Sequence, residues 1–69
     1  MQATLHIPRN GAIPASTHNG LSDDMALSFG RRAAQTLSDS GGKVIVTLGS
    51  GRIIPIGRDN ETDKIRVGW

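Results

Sequence analysis

From Lys43 to Ile56 the chain reads K-V-I-V-T-L-G-S-G-R-I-I-P-I, two aliphatic and largely β-branched runs meeting at Gly-Ser-Gly. Glycine tolerates the positive φ that a tight loop between right-twisted strands requires, so this stretch predicts a β-hairpin. With residues 49–51 as the loop, Leu48 lies opposite Arg52, Val46 opposite Ile54 and Val44 opposite Ile56 on one face, while Ile45, Thr47, Ile53 and Pro55 occupy the other. Moving the loop by one residue redistributes the pairs but leaves aliphatic side chains on both faces. Both faces therefore call for cover, since each large aliphatic side chain contributes roughly 1.5–3 kcal/mol when fully buried. Pro55 lacks an N–H, which predicts that strand 52–56 has a side without regular sheet pairing.

Upstream, Ser22 is a good N-cap, and Asp23 and Asp24 put carboxylates at the positive end of a helix dipole. A helix is expected from there to about Asp39, stopped by Gly41 and Gly42. Met25, Phe29, Ala33 and Leu37 form a bulky stripe along it, and Ala26, Gly30 and Ala34 a nearly flat one beside it. The bulky stripe is expected to pack on the hairpin, which leaves the flat stripe for close approach by another backbone; alternatively, the small residues fit under a twisted sheet. Lys64–Trp69 alternates as a half-buried strand, with Ile65, Val67 and Trp69 on one side. Ala3–Ile7 reads as a short strand, whereas Pro8, Gly11, Pro14 and Gly20 make residues 8–21 an irregular arm, with Ile13 and Leu21 lying on something apolar. The expected fold is α+β: one helix packed on a small antiparallel β-meander, with an extended N-terminal arm. Residues 1–21 supply the strand and arm, and 22–69 the helix and a three-stranded meander, in a single small domain.

Size changes what such a fold needs. A chain of 69 residues buries only about 60% of its extended surface, and this one has just Phe29 and Trp69 as aromatics, with nine glycines and three prolines. It has no cysteine, which excludes disulfides and thiolate chemistry. Small scaffolds without such staples gain stability by association, so a protein partner is expected, in a homo-oligomer or a hetero-assembly. The N-terminus has no basic region followed by an apolar stretch, and no run approaches the length of a membrane span. The expected setting is the cytoplasm or a virus particle, away from membranes.

Candidate chemistry is sparse. His6 and His18 match no compact zinc spacing, and Asp59, Asn60, Glu61 and Asp63 lack the glycine and distal glutamate of a calcium loop. A Ser16, His18, Asp23 relay needs a rigid frame that a Gly- and Pro-interrupted arm does not offer. The glycines at 41–42 and 49–51 lack the frame of a phosphate-binding loop. Asn60-Glu61-Thr62 is a glycosylation sequon, of consequence only on secretion. No catalytic residue, metal or cofactor is expected.

The net charge is +2, with Lys43, Arg52, Arg58, Lys64 and Arg66 outnumbering Asp59, Glu61 and Asp63 in the last third. The segments T-L-H-I-P-R-N-G-A-I-P and G-G-K-V-I-V-T-L-G-S-G-R-I-I-P-I loosely resemble the AbrB/MazE-like swapped-hairpin regulators, departing from them in the helix that intervenes here. That resemblance implies a dimeric DNA-binding regulator, with Arg9, Arg52 and Arg58 as candidate phosphate contacts. Against it, a ribbon entering a major groove should present polar side chains, and this one presents Ile and Val. The preferred expectation is a non-enzymatic structural or interaction subunit, for example of a bacteriophage particle, with Ile13, Leu21, Ala26, Gly30, Ala34, Ile45, Ile53 and Trp69 at its interfaces. A phage-type inhibitor docking on a host protein would read the same way.

Overall fold

The computed structural model describes residues 2–9, 11–37, 42–59 and 61–68. One helix lies on a five-stranded antiparallel sheet, in the chain order β1 (Ala3–Ile7), β2 (Ser16–Leu21), α1 (Asp23–Thr36), β3 (Lys43–Thr47), β4 (Ile53–Arg58) and β5 (Ile65–Val67). The α+β fold is as expected. Across the sheet the strands run β2-β1-β3-β4-β5, so the N-terminal strand sits inside the sheet and part of the expected arm, Ser16–Leu21, becomes an edge.

The hairpin adopts the three-residue loop. Leu48 N–H donates to the Arg52 carbonyl and Gly51 N–H to the Leu48 carbonyl, both at 2.8 Å, and of the two loop glycines it is Gly51 that carries the positive φ, +93°. Val44↔Ile56, Ile45↔Pro55, Val46↔Ile54 and Thr47↔Ile53 follow in register. Because the Leu48–Arg52 pair is hydrogen-bonded, alternation makes Ile45↔Pro55 a non-bonded pair, and the proline nitrogen points towards β5. There Gly68 N–H reaches the Pro55 carbonyl at 2.7 Å with nothing returned, and β5 ends at Val67. Pro55 thus limits pairing on one side of β4, as its missing donor requires.

On the other flank, Leu5 pairs with His18 but Ala3 with Leu21, so β2 carries one extra residue. Gly20, at φ +75°, absorbs this bulge. Its effect is to keep both His18 and Leu21 on the helix side, which strict alternation would forbid.

Ser22 caps α1 by accepting the Met25 N–H at 3.2 Å, and Asp23 Oδ1 accepts the Gly49 N–H at 3.0 Å, tying the helix start to the hairpin tip. The helix ends at Thr36, short of Asp39, as Leu37 turns extended; Gly41 lies outside the described residues. The bulky stripe divides: Leu37 is buried and Ala33 packs against the core, whereas Met25 is 47% and Phe29 39% exposed, and Ala26, Gly30 and Ala34 face the sheet, as in the alternative of small residues fitting under a twisted sheet. Sterics decide this, because the sheet already projects Leu5, Val44, Val46 and Ile56, all buried, and large side chains from both layers would not fit one interlayer space. At Gly30 an added Cβ would lie 2.8 Å from Ile56 Cδ1, 3.1 Å from Val46 Cγ2 and 3.6 Å from Leu5 Cδ1. Among the described residues the core holds no buried polar or charged side chain.

Replacing Gly30 should read out this contact. Gly30→Ala regains about 1 kcal/mol of helix propensity yet displaces a buried isoleucine tip and a stiff valine, for a net loss of about 1 kcal/mol in urea unfolding. Gly30→Val should lose about 3 kcal/mol or more. An unchanged midpoint for Gly30→Val would mean that another face of the helix meets the sheet.

Candidate protein interface on the uncovered face of the sheet

The helix covers one side of the sheet, and none of the described elements covers the other. Register and alternation assign the uncovered side in three rows. Thr17, His6, Ile45 and Pro55 form the first, Asn19, Thr4, Thr47 and Ile53 the second, and Lys43, Gly57 and Arg66 the third. On β1 and β2 the face is polar and its side chains satisfy one another: Thr4 Oγ1 donates to Asn19 Oδ1 at 3.1 Å, and His6 Nδ1 and Thr17 Oγ1 are 3.0 Å apart. On β3 and β4 it is apolar. Ile53 is 64% exposed, and Ile45 and Pro55 remain half-buried. The third row is cationic, with Arg66 held by Asp59 at 3.1 Å.

Of the expected interface residues, Ile45 and Ile53 lie together on this face. Leu21 faces the other way and packs against the core. Ile13 lies on the connection between β1 and β2 and is 63% exposed. Ala26, Gly30 and Ala34 are not available to a partner, because the chain's own sheet occupies them. Trp69 lies outside the described residues. Sequence reasoning placed Pro55 on the Ile45–Ile53 side but missed the polar half, which depends on β2 forming.

The three arginines of the DNA alternative do not converge. Arg52 and Arg58 stand at opposite ends of β4, about 20 Å apart at the rise of a strand. Arg9, beyond the end of β1, bonds the Gly11 carbonyl at 3.3 Å. Arg58 reaches the Gln35 carbonyl at 3.3 Å and Asp63 at 3.6 Å, which fastens β4 to the helix C-terminus and to the following turn. Ser16 and His18 approach within 3.4 Å on β2, but Asp23 is engaged by Gly49, so the three form no relay. Among the described residues no cluster of His, Asp or Glu is placed to hold a metal ion, and no helix is long and apolar enough to cross a membrane.

The two faces should differ sharply on mutation. Ile53→Lys is expected to change stability by no more than about 0.5 kcal/mol, whereas Ile56→Ala, directly beneath Gly30, should lose about 2–5 kcal/mol; equal losses in denaturant titrations would show that the Ile53 face is also covered. Comparison with models of protein families, with curated proteins and with solved structures finds no match.

Proposed function

We propose that this chain is a small non-enzymatic interaction subunit that docks on a partner protein, within a larger assembly, through the open face of its sheet. The carrying observation is the exposure of Ile53 beside Ile45 and Pro55 on a face that lacks a second layer. A docked protein would bury these side chains, while the hydrogen-bonded Thr4–Asn19 and His6–Thr17 pairs form a polar rim that needs no further partner. An apolar centre with a satisfied polar margin is the usual anatomy of a reversible protein interface. Nucleic-acid binding draws less support, because phosphate neutralisation needs several cations converging on one surface.

A photo-crosslinking amino acid at Ile53 tests this in cells of the source organism, with the same group at Ser28, on the outer side of the helix, as the comparison. The expected result is a discrete heterologous adduct from position 53 and none from 28. Adducts of equal yield at both positions, no adduct at 53, or an adduct only with the chain itself would contradict the proposal.

A further inference from the structure

The sheet has two edges, and they are defended very differently. β5 is three residues long, carries Arg66 paired with Asp59, and is terminated beside Pro55. Shortness, charge and proline are the usual devices by which a sheet edge avoids pairing with other chains. β2 is six residues long, and no Asp, Glu, Lys or Arg occurs anywhere from Asn10 to Ser22. Its bulge falls towards Gly20, so Ser16, Thr17 and His18 run in regular register with β1, and the alternation set by the hairpin turns the peptide N–H and C=O of Thr17 to the open side.

A second observation lies above the same edge. Phe29, together with Leu5, Ile7, His18 and Leu21, lines an apolar groove of about 290 Å³ between α1 and the β1–β2 strands. Phe29 and Met25 are left substantially exposed on that flank of the helix. A large apolar flank over an uncharged strand edge is an unusual surface for a chain that stays single.

We infer that two copies of this chain pair through β2, antiparallel and about a two-fold axis, joining their sheets into one of ten strands. The occupant is a second copy because the strand complements itself. Ser, Thr, His and Asn side chains both donate and accept, and no like charges are brought opposite one another. An axis normal to the sheet places both helices, and both Phe29-lined grooves, on the same side of the joined sheet. The pairing is isologous and ends at two copies, since β5 remains defended. It uses the sheet's edge and stands independently of docking on its open face; in the dimer the two open faces become continuous.

Sedimentation from micromolar to submillimolar concentration, on the full chain, tests the inference. The wild type should sediment at twice its monomer mass, Thr17→Lys should weaken dimerisation by at least about tenfold through like-charge juxtaposition, and Ile53→Lys should leave it intact. A monomeric wild type, a dimer that survives Thr17→Lys, or one lost only in Ile53→Lys would overturn it. Should Thr17→Lys fail to fold by circular dichroism, isotope-filtered NOEs on mixed labelled and unlabelled wild type decide: contacts between Ser16–His18 of the two copies support the pairing, and their absence refutes it.

Discussion

The helix approaches the sheet through a stripe with almost no side chain of its own. Ala26, Gly30 and Ala34 lie on Leu5, Val46 and Ile56 so closely that a single methyl group at position 30 would enter the space of the Ile56 tip. In a chain with one described helix and few large side chains, this complementarity of small over large is what gives the core its density. Val44, Val46 and Ile56 are fully buried beneath residues that add little volume, so the sheet supplies the bulk and the helix supplies the lid.

The choice of helix face has consequences elsewhere. Turning the flat stripe inwards leaves Met25 and Phe29 exposed on the flank of the helix, where Phe29 lines a groove with Leu5, Ile7, His18 and Leu21 of β1 and β2. A single helix also covers a single side, and Ile45, Ile53 and Pro55 project from the other. The polar ties are arranged around this frame: Asp23 holds the helix start to the hairpin tip, and Arg58 holds the helix end to β4. Both surfaces proposed to meet other chains, the open face and the β2 edge, are what remains after one helix has been seated as tightly as glycine allows.

Local chemistry made part of this legible in the sequence. The Gly-Ser-Gly turn determined the register of the hairpin, and Ser22 with its two aspartates marked the helix start, because both signals act between residues close along the chain. The sequence leaves two packings of the helix open, and the choice between them has a physical reason: hydrophobicity ranks Met25 and Phe29 above Ala26 and Gly30, but the deciding quantity is the volume already occupied by strands distant in sequence. β2 escaped notice because S-T-H-N-G has no apolar alternation, and its strand character comes from pairing with β1 and from a bulge at Gly20. The polar half of the open face was hidden with it, since Thr17 and Asn19 acquire neighbours only once β2 is in place.

That the helix seals one side of the sheet through its small residues, and leaves the other open, is tested most directly by solvent paramagnetic relaxation of the methyl groups with a soluble gadolinium chelate. The account predicts strong enhancement for Ile53, clear enhancement for Ile45, and little for Val44, Val46, Ile56, Leu5, Ala26 and Ala34. Protection of Ile45 and Ile53 equal to that of Val44 and Ile56 in the isolated chain, or strong enhancement at Ala26 and Ala34, would contradict it.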